Sequence, residues 1–186
     1  MKRIAFIILF ITVIFLFLPA VSVSAKTTGI YQSISAGGEH SFAIKDDGSL
    51  WAWGGNGCGQ LGDGTYKDKS TPVKIMENVC SVSAGYNHSL AIKSDGTLWA
   101  WGNNLSGEIG NGKIGINNGV FTEYAQILKP EKIMDNVVFV YAGWGYSFAI
   151  KTDDTLWSWG GNKNIFIILR NILNLFASNY ATNKIN

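Results

Sequence analysis

A five-residue pattern occurs three times in this chain and contains six of its seven tryptophans. Each copy reads leucine, tryptophan, a small residue, tryptophan and glycine, and the copies are Leu50–Gly54, Leu98–Gly102 and Leu156–Gly160. Self-similarity of this kind is the signature of repeat architectures, in which each unit buries its apolar face only against its neighbours. The chain is therefore expected to fold as an array of equivalent units.

A second block recurs with the same spacing of 48 and then 58 residues, as Ala36–Lys45, Ala84–Lys93 and Ala142–Lys151. In the first two copies an Asp-Gly pair, Asp47-Gly48 and then Asp95-Gly96, separates this block from the tryptophan pattern. Between two alternating apolar runs, Asp-Gly predicts a β-hairpin with a type I′ turn. Asp154 stands in place of the glycine in the third copy, at a cost of about 1 kcal/mol if the turn is retained.

Each hairpin is flanked by two shorter apolar runs. Val79–Ser83 and Val137–Tyr141 precede hairpins, and Pro72–Met76 and Pro130–Met134 follow them. Four antiparallel strands per unit is the make-up of a β-propeller blade. Alternation places both tryptophans of a pattern on one face, where we expect them to fill the space between neighbouring blades. The sequence thus predicts an all-β fold of propeller blades in an incomplete ring, with repeats at about 30–77, 78–135 and 136–162.

Glycine-rich loops follow the first two tryptophan patterns, at Asn56–Gly64 and Asn104–Gly112. Together with the A-G-x-x-H-S-x-A-I block, the D-G hairpin and the W-G pair, they resemble regulator-of-chromosome-condensation repeats over about residues 30 to 162. The resemblance implies a seven-bladed β-propeller of a type that also occurs in exported bacterial proteins. The third repeat departs from the family pattern, because Tyr146 replaces the usual histidine and Asp154 the usual glycine.

The first 25 residues have the layout of a secretory signal peptide with its short apolar helix. The basic segment Met1–Arg3 precedes an apolar run from Ile4 to Leu18, and cleavage is expected between Ala25 and Lys26. The alternative is an uncleaved membrane anchor. Fifteen helical residues span only about 22 Å, however, against ~30 Å for the hydrocarbon core of a bilayer. We therefore predict a secreted or cell-surface protein that meets the membrane only through this segment.

The charge of the mature chain restricts the classes of partner that it can bind. Lys2 and Arg3 leave with the signal peptide, so the 15 basic residues fall to 13 and balance the 13 acidic ones. Binding to nucleic acid requires clustered lysines and arginines that neutralise several phosphates, and the sequence has no such cluster, so nucleic acid is not expected as a partner.

The mature chain contains two cysteines. Cys58 and Cys80 either form a disulfide, which an exported chain could retain, or are two unrelated thiols.

The sequence does not indicate catalysis. His40 and His88, the only histidines, occupy the same position in two repeats, whereas an active site needs unlike groups that converge. We expect a structural role for them, as a hydrogen bond between adjacent strands. The sequence contains no carboxylate pair, Ser/His/Asp set, metal-ligand cluster or phosphate-binding lysine loop. We predict no enzymatic activity, no metal and no cofactor, and we expect the loop glycines to form turns.

The leading functional hypothesis is an exported scaffold that binds a protein or a cell-surface ligand through its loops. The second repeat has ten more residues than the first, within Lys113 to Lys129, and Phe121, Glu123 and Tyr124 are its candidate contact residues. A neutral surface insertion is the alternative. The family resemblance alone implies a guanine-nucleotide-exchange or chromatin-type regulator. A polysaccharide-acting propeller enzyme is a third class, which the lack of a carboxylate pair disfavours.

An incomplete array of blades leaves strand edges open at both ends. Three outcomes follow as hypotheses: the chain is a fragment of a longer propeller, it self-associates to complete a ring, or its tail caps the array. Residues 163–186 have no repeat character. They either form a short amphipathic C-terminal helix or are the product of a changed reading frame in an A/T-rich gene.

Overall fold

The computed structural model of the protein describes residues 31–161. The predicted signal peptide, its cleavage site between Ala25 and Lys26, and the predicted tail at 163–186 lie outside these residues. Every regular element within residues 31–161 is a β-strand. The prediction of an all-β fold built from antiparallel four-stranded blades is confirmed. Across the same span, no helix has the length and apolar character needed to cross a bilayer.

Three sheets follow one another along the chain, and each is an up-and-down meander. Blade 1 contains β1 (Tyr31–Ala36), β2 (His40–Lys45), β3 (Leu50–Gly54) and β4 (Lys69–Met76). Blade 2 contains β5 (Val79–Ala84), β6 (His88–Lys93), β7 (Leu98–Asn103) and β10 (Gln126–Met134). Blade 3 contains β11 (Val137–Ala142), β12 (Tyr146–Lys151) and β13 (Leu156–Gly160), and a small hairpin pairs β8 (Ile116–Asn117) with β9 (Val120–Phe121).

The blades have the same register. The first tryptophan of each pattern pairs with the same alanine of the preceding strand, as Ala43 with Trp51, Ala91 with Trp99 and Ala149 with Trp157. The first strand of each blade contacts the first strand of the next, β1 against β5 and β5 against β11. The first strands therefore form the inner edge of the array, and β4 and β10 are the outer strands of their blades.

The hydrophobic core lies between the blades. Blades 1 and 2 enclose one buried cluster, which consists of Phe42, Ile44, Leu50, Ala52, Leu61, Val79, Ala91 and Trp101. Blades 2 and 3 enclose a second, which consists of Leu90, Ile92, Leu98, Ala100, Ile109, Val137, Val140, Ala142 and Ala149. Full burial of one large apolar side chain contributes about 1.5–3 kcal/mol. Packing between neighbouring blades therefore supplies most of the apolar stabilisation of the array.

The two tryptophans of each pattern have different neighbours. The Trp101 side chain is fully buried. Its ring is nearly perpendicular to that of Phe42, with the ring centroids 5.7 Å apart, and its Nε1 donates to the Gln60 carbonyl oxygen at 2.8 Å. Trp99 packs on the same cluster but stays partly exposed, and its Nε1 donates to Thr97 Oγ1 at 2.9 Å. Both rings lie on the face toward blade 1, as the alternation predicts. Only the second tryptophan spans the junction with a hydrogen bond.

The hairpin turn differs from the predicted type I′ geometry. The Lys45 carbonyl accepts from Gly48 N at 2.9 Å, and Gly48 alone has a positive φ (76°), so this is a three-residue loop with a glycine bulge. Asp47 Oδ1 accepts from Ser49 N at 2.9 Å and from Ser49 Oγ at 2.6 Å. This local bond holds the aspartate at an ordinary negative φ and leaves only the glycine in the left-handed region. The prediction of a hairpin is confirmed, and that of its turn type is wrong.

Asp154 keeps the left-handed conformation that glycine has in the other two hairpins, with φ 62°. We expect Asp154→Gly to raise the free energy of unfolding by about 1 kcal/mol, because glycine has no β-carbon to strain at this φ. The matched control is Gly96→Asp at φ 78°, which should lower it by a similar amount. Thermal unfolding followed by circular dichroism measures both. If Asp154→Gly lowered the melting temperature, the strain at this position would be disproved.

Candidate functional site

A buried histidine links blade 1 to blade 2. His40 Nε2 lies 2.9 Å from Ser89 Oγ, and the Ser89 hydroxyl donates to the Gln60 carbonyl oxygen at 2.8 Å. Because the hydroxyl has a single proton, the histidine must be the donor in the first bond. Burial lowers the pKa of His40 from 6.5 to about 4. The ring is therefore neutral at neutral pH and bridges two sheets.

The same arrangement links blade 2 to blade 3. His88 Nε2 lies 2.9 Å from Ser147 Oγ, which donates to the Glu108 carbonyl oxygen at 2.8 Å. Burial, with a smaller contribution from the charge of His40, lowers the pKa of His88 to about 4. Trp159 Nε1 donates to the same carbonyl at 2.7 Å, as Trp101 does at Gln60. The histidines have the predicted structural role, but they connect strands of neighbouring blades, whereas a hydrogen bond between adjacent strands was expected.

The glycine-rich loops supply the carbonyl groups for these junctions. Asn56 Oδ1 accepts from Leu61 N at 2.9 Å, and its amide group donates to the carbonyl oxygens of two residues further along the loop, Thr65 and Lys67. A β-carbon at Gly62 would overlap the indole of Trp101, so glycine allows the close approach of loop and ring. Gly59 and Gly62 also have positive φ values of 74° and 82° and donate backbone hydrogen bonds to the residues three positions earlier, so the predicted role of these glycines in turns is confirmed.

Glu108 is the buried carboxyl group of the second loop, at the position of Gln60 in the first. Its Oε2 accepts from Ser106 N at 2.8 Å and its Oε1 accepts from Asn103 Nδ2 at 2.9 Å. Burial raises the pKa of Glu108, while these hydrogen bonds act in the opposite direction. Because one oxygen is bonded to the loop and the other to the end of β7, the group orders the junction.

The ten additional residues of the second repeat fold into the β8–β9 hairpin. Its turn residues Asn118 and Gly119 have φ values of 49° and 79°, which is the type I′ geometry. Three hydrogen bonds fix its base: Asn104 N donates to the Ala125 carbonyl, Gly115 N to the Asn104 carbonyl, and Thr122 N to the Gly115 carbonyl, at 2.8–2.9 Å. The hairpin is therefore held at its base by the loop that follows β7 of blade 2.

Apolar side chains are exposed on and beside this hairpin. Phe121 is 70% exposed, Val120 67% and Ile114 57%. Of the predicted contact residues, Phe121 and Glu123 are exposed, whereas Tyr124 is half-buried under Lys113, whose Nζ lies 4.2 Å from its ring centroid. Sequence reasoning missed Val120 and Ile114. The Asn118-Gly119 pair, a strong signal for a two-residue hairpin turn, could have revealed both strands.

Two family models match the part of the chain that contains these features. One regulator of chromosome condensation (RCC1) repeat model matches residues 47–92 and 95–150, more than half of the chain, and a second matches residues 31–60 and 79–108. The chain belongs to the RCC1 repeat family. The matches cover the inter-blade histidines and serines, both glycine-rich loops and the β8–β9 hairpin of this RCC1-repeat protein.

Similar proteins are much longer than the matched region. The ultraviolet-B receptor UVR8 of Arabidopsis thaliana is 27% identical over 132 residues, which cover 70% of this chain and 29% of that protein. HERC6 of Homo sapiens, a probable E3 ubiquitin-protein ligase, is 46% identical over 55 residues, 29% of this chain and 5% of that protein. The chain thus spans less than a third of the length of either relative.

Solved structures have the same fold. A crystal structure of Kap60 bound to yeast RCC1 (Prp20) matches with a TM-score of 0.60 and 27% identity over 70% of this chain and 32% of that chain. Human WBSCR16 matches with a TM-score of 0.61 and 23% identity over 70% and 33%, and this likeness shows the fold alone.

A pair of exposed aromatic rings departs from the repeat pattern of this RCC1-family chain. Tyr86 and Trp144 occupy the variable position of the A-G-x-x-H block, where blade 1 has Gly38. Their ring centroids are 5.4 Å apart at 50°, and the two side chains are 48% and 79% exposed. Sequence reasoning missed this pair, although Trp144 is the one tryptophan outside the repeated pattern.

A groove of about 440 Å³ between blades 1 and 2 is lined by Trp99 and by Lys74, Lys93 and Lys129. Lys93 Nζ lies 4.7 Å from the Trp99 ring centroid, and equivalent lysine–tryptophan contacts occur in blades 1 and 3. Because the contact recurs in every repeat, it belongs to the blade and marks no particular ligand. Among residues 31–161 no group of three His, Cys, Asp or Glu side chains could hold a metal ion, and Cys58 and Cys80 are free thiols.

Proposed function

We propose that this RCC1-repeat protein is an exported, non-enzymatic scaffold that binds another protein through the β8–β9 hairpin. The observation that carries the proposal is the exposure of Val120 and Phe121 at 67% and 70% on a hairpin that blade 1 lacks. Exposed apolar groups on a loop held by a rigid sheet are typical of contact surfaces between proteins. Positions that recur in every repeat build the blades. A specific contact is therefore expected at the β8–β9 hairpin, where the second repeat differs from the first.

Known partners of similar proteins support a protein ligand. The yeast RCC1 (Prp20) structure contains Kap60, and a second Prp20p structure, from Saccharomyces cerevisiae, is described with binding to Gsp1p and histones. Aromatic side chains are enriched at interfaces between proteins and lysine is depleted there. Phe121 matches this preference, with Glu123 exposed beside it as a polar rim.

Export and the lack of enzymatic activity rest on separate observations. The basic Met1–Arg3 segment and the apolar run after it support export, and a reporter fused after Lys26 would test it by its appearance in the medium. His40 and His88 are neutral, buried and engaged between blades, which leaves them poorly suited to proton transfer with a substrate.

Replacing Phe121 with a photo-crosslinking phenylalanine analogue is expected to capture a partner protein on the surface of the producing cells. A matched analogue at Tyr66, which is 51% exposed on the loop of blade 1, should yield no defined product. Adding Val120→Ser beside the probe should reduce the yield at least fivefold, because truncating an apolar contact residue costs 1 kcal/mol or more. Equal products from Phe121 and Tyr66 would contradict the proposal. The readout is the set of crosslinked bands on a gel, with melting curves to verify folding.

A second candidate is a regulator of the exchange or chromatin type. The 27% identity to yeast RCC1 (Prp20) over 70% of this chain favours it. Binding of the purified protein to Gsp1p and to histones, measured by calorimetry, separates the two candidates. Micromolar binding to either would support the regulator, whereas the exported scaffold requires none.

A further inference from the structure

The groove between blades 1 and 2 has both of its walls within residues 31–161. Ile75 and Met76 of β4 lie in the wall on blade 1, and Trp99 and Pro130 lie in the wall on blade 2. In an array of this kind a further blade packs beside blade 1 or blade 3, so these walls do not depend on one. The volume of about 440 Å³ is within the range of small-molecule sites.

Both walls offer apolar surface to a ligand. Ile75, Met76 and Trp99 pack against the buried cluster between the blades, and all three are only partly buried. The Trp99 Nε1 already donates to Thr97 Oγ1 at 2.9 Å. The indole therefore presents apolar surface to the groove and no free donor, which suits the apolar body of a ligand.

Two lysines add positive charge to the groove. Lys93 is half-buried with its Nζ 4.7 Å from the Trp99 ring centroid, and Lys129 is exposed. Among residues 31–161 neither lysine forms an ion pair. A groove with apolar walls and one sign of uncompensated charge attracts ligands of the opposite sign.

The other charged groups of the lining are neutralised by partners of their own. Lys74 Nζ lies 2.7 Å from Glu77 Oε1, and Asp63 Oδ2 lies 3.0 Å from Lys69 Nζ. The uncompensated charge of the groove is therefore positive, and the two lysines described above carry it.

Lys129 distinguishes this groove from the rest of the repeat pattern. The contact of a lysine with the first tryptophan recurs in every blade, but Lys129 stands where blade 1 has Thr71. Gly64 N donates to the Leu128 carbonyl at 2.9 Å, and a β-carbon on Gly64 would lie 2.8 Å from Lys129 Cε. The glycine-rich loop of blade 1 therefore holds this part of β10 and leaves room for the lysine stem.

We infer that this groove binds a small organic anion with an apolar body. The charged group of the ligand pairs with Lys93 and Lys129, and its body packs on Trp99 and Met76. A lysine ammonium is a point charge, so a carboxylate, a sulfate or a phosphate group can pair with it. The site uses other residues than the β8–β9 hairpin and is independent of the binding proposed above.

The fluorescent probe 8-anilino-1-naphthalenesulfonate tests the inference, because it carries a sulfonate on an apolar ring system. In a fluorescence titration of protein expressed from the full sequence, we expect saturable binding. This binding should weaken about threefold or more between low and high salt, because salt screens partly exposed charges. The double variant Lys93→Gln with Lys129→Gln should raise the dissociation constant of the probe about fivefold or more, because glutamine keeps much of the stem and removes the charge. The affinity of the uncharged analogue N-phenyl-1-naphthylamine should be the same for wild type and variant.

Matched variants make the test specific. Lys45 has the same contact in blade 1, with its Nζ 3.9 Å from the Trp51 ring centroid, but it lies outside the groove. Lys45→Gln should leave the dissociation constant of the probe unchanged, and so should Val120→Ser with Phe121→Ser on the hairpin. Unchanged melting temperatures verify that each variant is folded.

Competition against the bound probe identifies the body of the ligand. Displacement by decanoate indicates a fatty-acid chain, and displacement by 2-naphthoate indicates an aromatic acid, and either result supports the site. A wild-type chain that does not bind the probe, a failure of both acids to displace it, or an equal loss of affinity in Lys45→Gln and in the groove variant would overturn the inference.

Discussion

Replacing Trp101 with alanine is expected to lower the free energy of unfolding by about 3–5 kcal/mol. The ring is fully buried between blades 1 and 2, and its removal leaves a cavity beside Phe42. The Gln60 carbonyl also loses the indole hydrogen bond of 2.8 Å, although Ser89 continues to donate to it. Urea unfolding followed by far-ultraviolet circular dichroism measures the loss, because this signal reports mainly on the β-sheets.

Trp53→Ala is the matched control for this prediction. Trp53 occupies the same position in blade 1 but is half-buried, because no blade within residues 31–161 packs on it. We expect a loss of at most about 1.5 kcal/mol. Equal losses for the two variants would mean that the tryptophan stabilises its own sheet and not the junction between blades.

The protein is expected to lose about 3 kcal/mol of stability for each of its two inter-blade histidines as the pH falls from 7 to 4. The pKa of His40 and of His88 is about 4 in the folded chain, against 6.5 for an unperturbed imidazole. Unfolding releases both rings to water, where they bind protons below pH 6.5. The stabilisation is complete above pH 6.5 and decreases until the folded chain itself titrates near pH 4.

Other groups act outside this window or with the opposite sign. Asp47, Asp95 and Asp153 have lowered pKa values through hydrogen bonds to the next hydroxyl residue, so they lose stabilisation only as the pH falls below their ordinary value of 3.8. Burial raises the pKa of Glu108, so protonation of this group favours the folded chain as the pH falls toward 4.5. Glu108 therefore offsets part of the loss from the histidines.

Urea midpoints measured from pH 7.5 to pH 4 test the histidine prediction. The double variant His40→Gln with His88→Gln can still donate to Ser89 and Ser147 but does not titrate, so its stability should be nearly flat over this range. Glu108→Gln, which introduces the residue that blade 1 has at this position, should make the acid loss steeper. A wild-type chain equally stable at pH 7 and pH 4 would be incompatible with buried neutral histidines.

The order and pairing of the strands could be predicted from the sequence because the blades repeat. Once Leu50–Gly54 is recognised as a strand, its two copies fix the same element in the other blades, and the Asp-Gly pairs place the hairpins. The turn type could not be predicted in this way. A glycine with positive φ occurs both in a type I′ turn and in a three-residue loop, and the Asp47 side-chain bond decides between them.

The contacts between blades could not be predicted because they join residues far apart in the chain. Nothing local to His40 indicates that Ser89 is its partner, since their distance depends on how two sheets pack. The exposed surface has the same limitation. Ile34 and Val140 have the same place in their sheets. Val140 is buried because blade 2 packs against it, whereas no blade within residues 31–161 packs against Ile34.

The hydrogen bonds at the base of the β8–β9 hairpin allow the insertion to change in length without a change in the geometry of the blade. The backbone N–H of Asn104 donates to the Ala125 carbonyl, and its carbonyl accepts from Gly115 N, so one residue fixes both ends of the insertion. The pairing of β10 with β7 therefore does not depend on the residues between these ends. Once two ends are fixed, doubling the length of a flexible loop costs only about 0.6 kcal/mol. The segment beyond this base can therefore diverge in length and composition under selection for a new ligand, while the sheet that supports it stays unchanged.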